Sequence, residues 1–182
     1  KALLPAFGGT AAVWTTCMLF YQALLLAGYA YAHVLGRLSA RSQAAAYLSL
    51  FAAAAFALPP LPAVGWSPAA GAGVGTLLAA LARAAAVPFL VLAAGAPLLQ
   101  RWFSRAGGAR GQDPYFLYAA SNGGSFLALL AYPFLVEPLA SLSRQGRLWS
   151  WGFGLTGLLW AACARAASGE DPAPEAPGRS SW

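Results

Sequence analysis

The sequence predicts an all-α fold, a polytopic membrane bundle of about five transmembrane helices. Three observations carry this. The 182 residues include 11 Lys+Arg and only 5 Asp+Glu, so 9% are charged, against roughly 25% in an average soluble domain. Hydrophobic residues make up 59%, and mean hydropathy is +0.60. The charges also leave long gaps: none falls from Ala2 to Gly36, Ser42 to Ala82, Ala84 to Gln100, Pro114 to Val136 or Leu148 to Ala164. A spanning helix needs about 20 mostly apolar residues, and each gap supplies one candidate. The same arithmetic excludes a disordered chain, which needs low hydrophobicity and high charge. So few charges also cannot cover the surface of an ordinary soluble enzyme.

Span one runs over 10–35, with Thr10 as N-cap after the Gly8-Gly9 break. At ~1.5 Å per residue it is about 39 Å long, so it tilts or protrudes from a ~30 Å hydrocarbon core. Span two, 42–58, is short and Ala-rich and stops at Pro59-Pro60. A Pro/Gly-rich loop follows, with Trp66 placed as an interfacial anchor. Span three, 74–103, contains Arg83, Pro88 and Pro97, and a kink is expected near Pro88. Span four, 114–136, opens on Asp113 as N-cap and Pro114 in its first turn. Span five, 147–167, carries Trp149, Trp151 and Trp160 as candidates for an aromatic belt. Residues 1–167 thus form the bundle. Residues 168–182, with Glu170, Asp171, Glu175 and Arg179 among prolines and serines, form a polar linker or tail.

Five spans place Arg37, Arg41, Arg101, Arg105, Arg110, Arg165 and Arg179 on one side, and Lys1, Arg144 and Arg147 on the other. The positive-inside rule then makes the tail and the loops 36–41 and 101–113 cytoplasmic. The chain opens on Lys1 rather than Met and reads as an interior piece of a longer protein.

Arg83 is the one charge inside a span. An ionisable group at membrane depth is costly and normally faces a partner or a cavity. Glu137, at the end of span four, or a helix carbonyl is the candidate partner; snorkelling toward the outer boundary is the competing explanation. Asn122, in the middle of a small-residue stretch, completes the candidate intramembrane polar site Arg83, Asn122 and Glu137. Around it Ala119/Gly123, Ala120/Gly124 and Ser121/Ser125 are small-xxx-small pairs, which let helix backbones approach closely. This predicts a helix-packing seam. His33 could carry a proton but lies at a helix end without a second His or a nearby carboxylate, as an interfacial residue would. Cys17 and Cys163 sit singly in apolar runs and read as small buried hydrophobes.

The basic residues are scattered, not clustered as nucleic-acid binding requires. The Gly-rich segments 7–10 and 107–111 match neither phosphate-cradling pattern. The sequence offers no acid pair, nucleophile–base set or metal-ligand cluster, so neither a catalytic residue nor a cofactor or metal site is expected.

The word order resembles a known family. LPAFGGT (Leu4–Thr10), AVWTTC (Ala12–Cys17), QALLLAGYAYAH (Gln22–His33), APLLQRWF (Ala96–Phe103), DPYFLYAASN (Asp113–Asn122), YPFLVEP (Tyr132–Pro138) and WSWG (Trp149–Gly152) occur in sequence. Together they resemble the amino-terminal membrane part of fused major-facilitator-type/spermidine-synthase-like bacterial membrane proteins, over most of the chain to about Ala167. The resemblance implies one half of a major facilitator module in the bacterial inner membrane. One helix would precede Lys1, and a cytoplasmic aminopropyltransferase-like domain would follow Trp182. The loop Gly36–Arg41 echoes the Gly- and Arg-rich facilitator signature but lacks its Asp. No position matches the family's catalytic residues, so this chain would not be an enzyme by itself. The expected partners are the lipid bilayer and the synthase-like domain, and the alternatives to transport are a pure membrane anchor or a subunit of a membrane complex.

Overall fold

The computed structural model describes residues 2–60, 73–106 and 115–169. Among them every regular element is helical. A four-residue helix, α1 (Leu4–Phe7), begins the chain and stops at Gly8, whose φ of 74° suits only a residue without a Cβ. Next, α2 (Ala11–Leu35) starts where the sequence predicts: the Thr10 hydroxyl accepts a hydrogen bond from the Val13 amide at 3.4 Å. A short turn leads into α3 (Ala40–Ala55), capped by Ser39. The long α4 (Val74–Ala106) runs through both Pro88 and Pro97.

The fourth span is interrupted. After α5 (Tyr115–Ala131) the chain makes a π turn (Tyr132–Val136) and one more short helical turn, α6 (Glu137–Leu139). Pro133 has no N–H to give to the carbonyl of Leu129. The turn widens, and the Glu137 amide bonds the Tyr132 carbonyl five residues back. The last helix, α7 (Leu142–Gly169), reaches two residues into the predicted tail.

Three helical runs are long and apolar enough to cross a membrane: Ala11–Leu35, Val74–Arg105 and Tyr115–Leu139. The other two predicted spans differ from expectation. Helix α3 has 16 residues, about 24 Å at ~1.5 Å each, which falls short of a ~30 Å hydrocarbon core. It ends at Ala55, before Pro59-Pro60, because the chain already turns at Phe56–Leu58. Helix α7 is long enough, but Arg, Ser, Gly and Thr dilute its apolar content. Trp66, the Asp113–Pro114 cap, Arg110, Arg179 and residues 170–182 lie outside the described residues.

The core lies where α2, α3, α4 and α7 meet. Tyr47 is fully buried there, and its hydroxyl donates to the Val91 carbonyl at 3.1 Å. Its ring lies 4.7 Å from that of Trp160, and Phe51 stacks on Phe153 at 4.2 Å. Glycines make these approaches possible. A Cβ on Gly28 would meet the Ala93 Cβ at 2.7 Å, and one on Gly95 would meet the Trp160 ring at 2.8 Å. Such close crossings are the membrane solution to packing helices without a hydrophobic driving force.

These contacts fix helix directions. Gly28 faces Ala93, and Gly36 faces Arg101 at the same sequence spacing, so α2 and α4 run parallel. Tyr47 meets Trp160 while Phe51 meets Phe153, so α3 and α7 run antiparallel. Arg37, Arg41, Arg101 and Arg105 consequently gather at the end where α2 and α4 finish, as the charge asymmetry predicts.

The starts of α3 and α7 are built alike. Ser39 caps α3 and Ser141 caps α7, accepting from the amides of Ser42 (3.3 Å) and Arg144 (3.4 Å). Four residues after each cap stands a glutamine. Gln43 Nε2 donates to the Leu38 carbonyl at 2.7 Å, and Gln145 Nε2 to the Ala140 carbonyl at 2.9 Å. Each glutamine Oε1 accepts from an aromatic side chain, Trp102 Nε1 at 3.0 Å or the Tyr132 hydroxyl at 3.4 Å. The paired positions are 102 residues apart, and so are Phe51 and Phe153, which stack on each other. The α2–α3 turn lies beside the end of α4, whereas Leu142, just after the α6–α7 turn, lies beside its start. Two similar hairpins therefore turn at opposite ends of the bundle.

Candidate functional site

The three residues predicted as an intramembrane polar site are not brought together. Arg83 is exposed on the first half of α4 and has no hydrogen bond or ion pair with any described residue. It is therefore not paired with Glu137. Asn122 and Glu137 are both exposed on the same helical run, 15 residues apart, which is about 22 Å along the axis at ~1.5 Å per residue.

The predicted seam is equally open. Ala119, Ala120, Ser121, Gly123, Gly124 and Ser125 are all exposed, and a Cβ on Gly123 or Gly124 would meet nothing within 4 Å. No described helix closes on that stripe. The Ser125 hydroxyl instead bonds back to the Ser121 carbonyl at 3.0 Å, which satisfies it without a partner helix. Cys163 is exposed rather than buried, Cys17 is half-buried, and both are free thiols. His33 is exposed on the last turn of α2.

Two clefts lie along the line where α2, α4 and α5 approach one another. The first, of about 250 Å³, is lined by Tyr29, Ala96, Pro97, Gln100, Tyr118, Ser121 and Asn122. It joins the end of α2, the end of α4 and the start of α5. Five of its seven residues carry a hydroxyl or carboxamide, and none carries a formal charge. The neighbouring Arg101 is turned elsewhere: its guanidinium donates to the Gly36 carbonyl, where the backbone of α2 ends. This contact needs the glycine, since a Cβ there would lie 2.9 Å from the guanidinium. Phe103 of α4 and Phe116 of α5 meet edge to face, 5.2 Å apart.

The second cleft, of about 310 Å³, lies toward the start of α4. Its walls include Val13, Cys17, Tyr21, Leu81, Tyr132 and Leu142, and they are largely apolar. Ala84 and Ala85 border it, so Arg83 stands beside this cleft and Asn122 belongs to the other.

The sequence pointed to Asn122 but missed Tyr29, Gln100 and Tyr118. The available signal was spacing: Tyr118, Ser121 and Asn122 share one helical face. Tyr29 and Gln100 carry no charge and stand in apolar runs, so nothing in the sequence alone marks them. Among the described residues no group of His, Cys, Asp and Glu could hold a metal. Comparison with family models, curated proteins and solved structures finds no match.

Proposed function

We propose that the chain is the membrane-embedded part of a transporter-like module in the bacterial inner membrane, positioned beside a cytoplasmic synthase-like domain and without a catalytic site of its own. The observation that carries this reading is the pair of hairpins, α2–α3 and α5–α7, built alike and turning at opposite ends. Inverted repeats of this kind are a common architecture of secondary transporters. The Arg-rich end is the cytoplasmic one in this reading, by the positive-inside rule. The five-span count of the sequence is kept, with α3 and α7 as the shorter and more polar members of the bundle.

A cysteine-labelling experiment tests the topology in intact cells. An impermeant maleimide should label Ser141→Cys from outside and Ser39→Cys only after the membrane is opened. Labelling of both from the same side would end the reading. Flux in proteoliposomes then separates a transporter from the alternative, an anchor that only positions the synthase-like domain. Among the described residues Arg83 has no hydrogen-bond or ion-pair partner, which favours the anchor to this extent: the one charge within a span does no visible work there.

A further inference from the structure

The two clefts lie toward opposite ends of α4 and differ in chemistry. In the first cleft α5 supplies Tyr118, Ser121 and Asn122 against Tyr29 near the end of α2. In the second α2 supplies Val13, Cys17 and Tyr21 against Tyr132 near the end of the α5 run. Helix α4 lines both, through Ala96, Pro97 and Gln100 in one and Leu81, Ala84 and Ala85 in the other. The second cleft, toward the start of α4, is lined mainly by apolar side chains. In the first, Ser121 and Asn122 are exposed and a Cβ on Gly123 beside them would meet nothing within 4 Å, so their polar groups are not a packing requirement.

We propose that the Tyr29–Gln100–Tyr118–Asn122 cleft is a binding site for a small uncharged polyol. This rests on the membrane-module reading above. Size, charge and access point the same way. A volume of about 250 Å³ corresponds to roughly eight waters at ~30 Å³ each, small for a ligand pocket. Hydroxyls and carboxamides offer donors and acceptors in one wall, which suits a solute that is both at every carbon. Two tyrosine rings supply amphipathic surface for its C–H faces. No lining residue is ionised, so a polycation such as spermidine finds no countercharge. The nearest carboxylate on the same helical run, Glu137, is about 22 Å away at ~1.5 Å per residue. Gln100 places the cleft one residue from Arg101, toward the Arg-rich end, which is the end nearer the aqueous phase in this reading.

The test uses the 182-residue chain in lipid nanodiscs and saturation-transfer NMR. The probes are myo-inositol, glucose and erythritol, with spermidine as the charged comparison. At least one polyol should receive saturation, and Asn122→Leu and Gln100→Leu should each weaken its binding about tenfold, the loss of one hydrogen-bonding group. Leu81→Ala, in the second cleft, should leave it unchanged. Asn122 is exposed on α5, so its replacement leaves the core packing intact, and unchanged helical circular dichroism verifies this. The proposal is overturned if no polyol binds, if binding survives both leucine variants, or if spermidine competes at this cleft. Labelling at Ser39 and Ser141 is read separately. Correct topology without polyol binding removes this site and leaves the membrane module standing.

Discussion

The two hairpins share one local design and differ in what surrounds them. In the first, Gln43 is fully buried and its Oε1 takes the Trp102 indole N–H at 3.0 Å. In the second, Gln145 makes the same backbone bond, but its aromatic partner, Tyr132, stands at 3.4 Å in an exposed setting. The difference is α4. It lies along α2, closes on Gly28 and brings Trp102 to Gln43. No described helix lies along α5 in the same way, and every residue from Ser121 to Leu130 is exposed. A capped turn with a glutamine clamp is thus a local device that forms from its own residues. Burial is what converts it into a strong constraint.

The largest effect should come from removing the α4 side of the buried clamp. Trp102 is buried among Ala32, Leu35 and Leu98, with Trp160 edge-on at 5.7 Å. Trp102→Ala should cost about 3–5 kcal/mol and also leave Gln43 Oε1 without its donor. In detergent the thermal midpoint, followed by circular dichroism, should fall steeply. A shift no larger than that of a surface variant would mean that α4 does not seat on the first hairpin as described.

The comparison is sharpened by the paired variants Gln43→Leu and Gln145→Leu. Gln43→Leu strands the buried Trp102 N–H in the core, which costs about 1–3 kcal/mol. Gln145→Leu removes the same bonds where other polar partners can replace them, and should stay near ~0.5 kcal/mol. Equal losses in denaturant titrations would show that the second hairpin is buried in solution, against its exposure in the single chain.

Much of this was legible in the sequence. The charge gaps placed α2, α4 and α5 within a few residues. Thr10, followed by apolar residues, marked the start of α2, because capping is a local interaction. Other features needed the fold. Pro59-Pro60 gave the wrong stop for α3, since the helix is already spent at Ala55. The π turn follows from Pro133, but its width depends on where the chain must go next. Arg83, Asn122 and Glu137 were grouped because each is polar within or beside an apolar run. The spacing already separates two of them: Asn122 and Glu137 are 15 residues apart on one predicted span, about 22 Å at ~1.5 Å per residue. Tyr29, Gln100, Tyr118 and Asn122 come from three helices; the crossings at Gly28 and Gly36 bring the α2 and α4 faces together, and α5 supplies the remaining wall.

The smallest expected effect tests the bare stripe itself. A side chain added at Gly123 meets nothing within 4 Å, and leucine also has the better helix propensity by about 0.5–1 kcal/mol. In the 182-residue chain Gly123→Leu should therefore be neutral to slightly stabilising, with a thermal midpoint equal to or above that of the parent. At Gly28, by contrast, the same substitution drives a side chain into Ala93 and must part α2 from α4. The two glycines thus separate a crossing that is made from one that is open. If Gly123→Leu lowered the midpoint as Gly28→Leu does, a neighbouring helix would be closing on the stripe, and a lower oligomeric state in the variant would identify that helix as belonging to a second copy.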